Sequence, residues 1–281
     1  MGDEVRCTVP RSSRPETVRP SLTGTVVIAE SFSFPEINSI LRWQDLFVSF
    51  NKIALIAVMA GVIGTVVFLL AGRKDASKAP KGVRNLAEVS VEFIEDGIVM
   101  QTMGKDGMGW TPFLLSLFIF IYLCNVPGII PFLQMPATAR IAIPMFLALL
   151  VWVIYIGVGF KHQGLGYIKS TLFPPGVPKA LYILVTPIEF ISTILVRPFS
   201  LTVRLFANML AGHILLVTFA LLTQSLITAE TKQLMLKPMA ILPFGMLVFL
   251  TAFEVLVAFL QAYIFTILTA VYIGGSTHPE H

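Results

Sequence analysis

The feature that most restricts this chain is a set of apolar runs too long for a soluble core. They cover residues 53–71, 112–133, 141–160, 181–226 and 238–274, and a helix of about 20 residues suffices to cross a bilayer. Only 13% of the 281 residues are charged, against 56% hydrophobic, and a soluble domain carries roughly twice that charged share. These runs exclude a soluble enzyme and predict an all-α, polytopic membrane protein with about five transmembrane helices. The net charge of +4 does not imply nucleic acid, because the basic residues flank the apolar runs and so report topology.

The regions between the runs carry their own signals. Val83, Leu86, Ala87, Val91, Ile94 and Ile98 recur at helical spacing, opposite Glu88, Glu92, Glu95 and Asp96. That pattern predicts an amphipathic helix lying on the membrane surface or on a partner. The first 30 residues combine Arg6, Arg11, Arg14 and Arg19 with Pro10, Pro15 and Pro20 and have no signal-type apolar core. We expect residues 1–40 to be a partly disordered tail, 41–275 a single membrane domain, and 276–281 a C-terminal tail. Cys7 and Cys124 form neither a disulfide framework nor a metal-ligand spacing, so no metal or cofactor is expected.

Orientation follows from the basic loops. Arg73, Lys74, Lys78, Lys81, Arg84 and Lys105 precede the second run, and Lys161, Lys169 and Lys179 follow the third. The opposite side holds fewer: Arg42, Lys52, Arg140, Lys232 and Lys237. The positive-inside rule therefore puts the N-terminus outside and the C-terminus in the cytoplasm. The last two runs pose a length problem. A helix over residues 238–274 would be roughly 55 Å long, against a hydrocarbon core of about 30 Å. The expectation is two long, strongly tilted helices, since Gly212 is the one weak candidate for a hairpin turn. No internal repeat of the inverted-transporter kind is visible.

The charges inside the runs point to function. Arg197, Arg204 and His213 are the basic groups there, and Glu189 and Glu254 the acidic ones. Even lenient scales charge about 2.5–3.5 kcal/mol for an ionised side chain at the bilayer centre. Arg197 can be read as a helix-end anchor that snorkels to the interface. Arg204 sits among Leu201, Val203, Leu205, Phe206 and Met209 and has no such escape. It is either a buried ion-pair partner of Glu189 or Glu254, or a charge on an ion path. Helical spacing puts Arg197, Arg204, Asn208 and Gly212 on one face, and Glu254, Ala258 and Gln261 on one face of the last helix. If the two helices run antiparallel, His213 lies level with Glu254, and Arg204 with Gln261. A titratable pair then stands outside a fixed positive charge beside an amide, the layout of a proton route that stops at a barrier.

At these residues the chain resembles subunit a of the F-type ATP synthase membrane sector, and actinobacterial members in particular. The resemblance rests on Arg204-Leu-Phe-Ala-Asn-Met-Leu-Ala-Gly212-His213 and on Leu260-Gln-Ala-Tyr-Ile-Phe-Thr-Ile-Leu-Thr-Ala-Val-Tyr272. It extends to Asn125-Val-Pro-Gly-Ile-Ile-Pro131, Arg197-Pro-Phe-Ser200 and the amphipathic segment. It implies that Arg204 faces a rotating ring of c subunits, keeps each passing carboxylate ionised and blocks a leak between two half-channels. It further implies an outer path through Asn208, His213, Glu254 and Gln261, and Glu189 on the cytoplasmic exit. Relative to many members the acid and histidine of the outer pair are exchanged, and the spacing of Glu189 from Arg197 is irregular. The implied partners are the c ring, b-type peripheral-stalk subunits, the rest of the F1F0 complex and the lipid of a bacterial plasma membrane; no nucleic acid and no bond chemistry of its own are implied. Two other readings compete: a self-contained channel or transporter, which lacks repeats and a second polar cluster, and a structural scaffold, which would not need Arg204, His213 and Glu254.

Overall fold

The computed structural model describes residues 52–72, 82–130, 136–164, 166–167, 182–228 and 238–277. The expected N-terminal tail, Cys7, and the basic residues Arg42, Arg73, Lys74, Lys78, Lys81, Lys169, Lys179, Lys232 and Lys237 lie outside the described residues. The described residues contain helices and turns and no strand. Five segments among them are long and apolar enough to cross a membrane: Ala54–Gly72, Gly104–Gly128, Ala142–Gln163, Tyr182–Ile227 and Pro238–Thr277.

In chain order, α1 is Lys52–Gly72 and α2 is Val83–Ile94. A π-helical turn at Glu95–Val99 and a 3-10 segment at Gly104–Trp110 lead into α3, Thr111–Asn125. α4 is Ala142–Gln163 and α5 is Tyr182–Ile191. A second π turn, Ser192–Val196, joins α5 to α6, Arg197–Thr228, and α7 is Ile241–Thr277. From Tyr182 on, the described part of the 181–226 run is thus continuous helix rather than a hairpin, in a span of 46 residues, Tyr182–Ile227. At about 1.5 Å per residue it far exceeds the hydrocarbon thickness, so it must cross obliquely.

The amphipathic helix packs on the other helices. Ala87 and Ile94 of α2 are buried, with Ile98 and Val99 just beyond, while Arg84 and Glu88 form an outward ion pair at 2.8 Å. Phe93 joins an aromatic cluster with Phe118 of α3 and with Phe259 and Tyr263 of α7, all at 5.9 Å between ring centroids. The core behind it holds Leu114, Ile121, Val151, Leu205, Phe265 and Ile273. Apolar side chains such as Val62, Leu69, Phe146, Val153 and Phe249 remain exposed, as expected where lipid replaces water around helices whose backbone is satisfied internally.

Two polar fastenings tie the helix ends. Asn125, at the end of α3, is buried and accepts the hydroxyl of Thr138. At the other end of the bundle Gln163 donates to the Ser276 carbonyl at 3.1 Å, and Tyr167 and Ser276 share a hydroxyl contact at 3.3 Å. These contacts keep α7 helical as far as Thr277, into what the sequence suggested was tail.

Candidate functional site

The site is built on the antiparallel pair α6 and α7. Along α7, Leu250, Glu254, Ala258, Gln261, Phe265 and Thr269 are buried, a ladder at intervals of three and four residues that defines one helical face. Along α6, Leu201, Leu205, Met209 and His213 are buried by the same spacing. Glu254 and Gln261 of the α7 ladder lie against α6, and His213 faces the interior rather than the surface.

Each polar residue of α7 meets α6 at a defined place. Asn208 Nδ2 donates to Gln261 Oε1 at 3.4 Å. The Glu254 carboxylate rests on Gly212, so closely that a Cβ there would run into both of its oxygens and its carboxyl carbon. Gly212 thus serves close approach of a side chain, not a turn, and it brings the carboxylate beside the neighbour of His213. Asn208 and Gly212, four residues apart, are met by Gln261 and Glu254, and the helices run antiparallel as expected. The detail differs at the inner level: Gln261 engages Asn208, not Arg204. Asn208 is offset from Arg204 by about 40° around the helix, which turns its short amide toward α7 and the guanidinium away. The donor of the Gln261 amide, Nε2, is buried and has no hydrogen-bond partner among the described residues.

Arg204 is exposed. It has no ion pair among the described residues, so neither Glu189 nor Glu254 neutralises it. Ala207 and Ala211 are exposed on the same side of α6 and leave the guanidinium's flank open to a neighbouring helix. Arg197, seven residues earlier, is held quite differently. It reaches Glu189 Oε1 at 3.5 Å, and its guanidinium lies 5.2 Å from the centroid of the Tyr272 ring on α7. Both groups of the ion pair are half-buried.

The eight-residue spacing of that pair has a structural cause. On a regular α-helix, eight residues at about 100° each leave the ends roughly 80° apart. The π turn at Ser192–Val196 accommodates one extra residue, which returns Glu189 to the Arg197 face. In the sequence this spacing reads only as an irregularity, and nothing there selects Thr193 within the turn or Trp152 and Tyr155 beside it. Tyr155 Oη donates to the Thr193 carbonyl at 2.8 Å and Trp152 Nε1 to the same oxygen at 3.3 Å. The odd spacing of Glu189 and Arg197, just before Pro198, was the signal available.

A cation exposed on an apolar span can repel or attract a charge on another molecule, and the buried acid and imidazole of the same helix pair can bind and release protons. Comparison with known proteins agrees in kind. A family model described as ATP synthase A chain matches residues 53–274. An ATP synthase subunit a from Frankia alni is 41% identical over 269 residues, 91% of this chain and 90% of the relative. One from Rhodococcus erythropolis is 37% identical over 92% of this chain and 96% of its own length. One from Rhodopseudomonas palustris is 42% identical over 82% and 89%.

Proposed function

Because this chain belongs to the ATP synthase A chain family, we propose that its Arg204 is the fixed charge that separates two half-channels against a rotating ring of c subunits. The chain is a multi-pass membrane protein and the proton-translocating stator subunit of the F0 sector of an F1F0 ATP synthase. The observation that carries the finer reading is the exposure of Arg204 on an apolar span with no ion pair among the described residues. A charge that costs about 2.5–3.5 kcal/mol or more in lipid calls for a carboxylate supplied from outside the chain.

The rest of the site has its place in that scheme. Protons enter from the outer side through His213 and Glu254, pass the Asn208–Gln261 amide pair and load the ring carboxylate. After nearly a full turn of the ring they leave toward the cytoplasm past Glu189. Arg204 acts at the boundary: a nearby cation favours the ionised carboxylate, so the arriving proton is released before the ring passes. An arginine suits this place better than a lysine, whose compact ammonium lacks the planar fork of donors that matches a carboxylate. Other partners are b-type peripheral-stalk subunits, and the site of action is a bacterial plasma membrane with the N-terminus outside and the C-terminus in the cytoplasm.

A cysteine at Ala207, one turn from Arg204 on its exposed side, tests the geometry. With cysteines placed along the carboxylate-bearing helix of the ring subunit, oxidation of membranes should produce a disulfide near the carboxylate level. That bond should stop ATP-driven pumping, and reductant should restore it. No disulfide at any ring position would remove the ring from the Arg204 face. His213→Leu checks the outer route: proton uptake should slow while the complex still assembles, and an unchanged pumping rate would take His213 off the path.

A further inference from the structure

The π turn between α5 and α6 leaves one backbone group without a partner in its own helix. The Arg197 N–H is bonded to the Ser192 carbonyl, five residues back. In a regular α-helix that N–H would serve Thr193 instead. The next N–H that could reach Thr193 in the wider pattern belongs to residue 198, which is proline and has none. The Thr193 carbonyl is therefore orphaned by its own helix, in a residue only 5% exposed. Buried carbonyls are almost always satisfied, and this one is met twice from α4, by Tyr155 Oη at 2.8 Å and Trp152 Nε1 at 3.3 Å. Tyr155 is 1% exposed and packs its ring 5.7 Å from that of Tyr272, the ring beside which Arg197 is seated.

We propose that Tyr155, aided by Trp152, is a positioning residue: by capping the orphaned Thr193 carbonyl it holds the extra residue of the π turn in place and keeps Glu189 on the face that carries Arg197 and Arg204. The inference rests on the reading of Glu189 as the acid of the cytoplasmic route. Without the cap, the unbonded carbonyl drives the extra residue out of the 192–196 turn, and α5 rotates by about 100° relative to α6. Glu189 then leaves Arg197 and points away from the exit path. The proton passes through Glu189 and not through Tyr155, whose hydroxyl is committed to the carbonyl.

A cycle of variants in inverted membrane vesicles tests this, with ATP-driven pumping and the amount of assembled complex both measured. Tyr155→Phe keeps the ring and removes the donor, and should lower pumping per assembled complex, or the yield of complex, by about tenfold, as misplaced reacting groups do. Deleting Leu195, which is exposed, together with Pro198→Ala, makes the helix regular and gives Thr193 an N–H partner within it. Glu189 then stands seven residues from Arg197 without a π turn. In that background Tyr155→Phe should cost less than about twofold. Full activity of Tyr155→Phe in the natural chain would overturn the proposal, as would an equal loss in both backgrounds or a regularised chain that does not pump. Glu189→Gln in the natural chain separates the underlying reading: full pumping there removes Glu189 from the route. A loss there combined with a silent Tyr155→Phe refutes only the positioning role.

Discussion

Arg204→Ala is expected to abolish ATP synthesis from an imposed proton gradient, at least about a hundredfold, the scale seen when a preorganised charge is removed from a site where charge must be stabilised. The subunit itself should survive the change. Arg204 is exposed and has no ion pair among the described residues, so its removal strands no acid within them, and Ala is the best helix former. ATP hydrolysis by the assembled complex should persist while pumping is lost. A second consequence separates a barrier from a simple anchor. With the cation gone, the ring carboxylate can pass the boundary protonated, and vesicles stripped of the soluble sector should leak protons. Arg204→Lys should restore little, because a lysine in a desolvated position can lose its charge and has no planar fork. Normal ATP synthesis in Arg204→Ala membranes would end the proposed mechanism.

Why some of this could be read from the residues and some could not comes down to periodicity. The apolar runs and the ladder of Glu254, Ala258 and Gln261 follow regular α-helical spacing, so membrane class, helix positions and the polar face of α7 were all legible. Arg204 stood out because a charge amid leucine, valine and phenylalanine is costly wherever the helix points. Its direction was another matter: only the packing of Leu201, Leu205, Met209 and His213 inward shows that Arg204 looks out of the chain. The pairing of Gln261 with Asn208 depends on side-chain reach, which summed residue numbers cannot resolve within a turn. Glu189 was legible as an intramembrane acid but not as the partner of Arg197, because the π turn breaks the 100° rule on which the spacing argument stood. The cause of that turn is partly local, in Pro198, and partly remote, in Tyr155 and Trp152, some forty residues away in the chain. Remote donors of that kind leave no mark in the periodicity of either helix.

Gly212 provides the second large effect, and it acts on the outer half of the route. Its missing side chain is the space that the Glu254 carboxylate occupies. Gly212→Ala puts a methyl group where those oxygens are, and the atoms that must yield belong to the far end of a flexible side chain, not to backbone. The helix pair should therefore hold together, with a complex that assembles in normal amount. Glu254, 8% exposed, must then swing its carboxylate away from Gly212, the residue next to His213. Proton uptake should fall by about tenfold or more, since a displacement of around 1 Å in a reacting group can cost a hundredfold. Gly212→Val adds branched bulk that α7 cannot clear by moving one side chain, so it should deepen the loss and begin to reduce assembly, as overpacking does. The graded order matters more than either value. If Ala and Val both left pumping untouched, Glu254 would not carry protons from its place on Gly212. If Ala already prevented assembly, the contact would be structural, and the outer route would have to run elsewhere on α7.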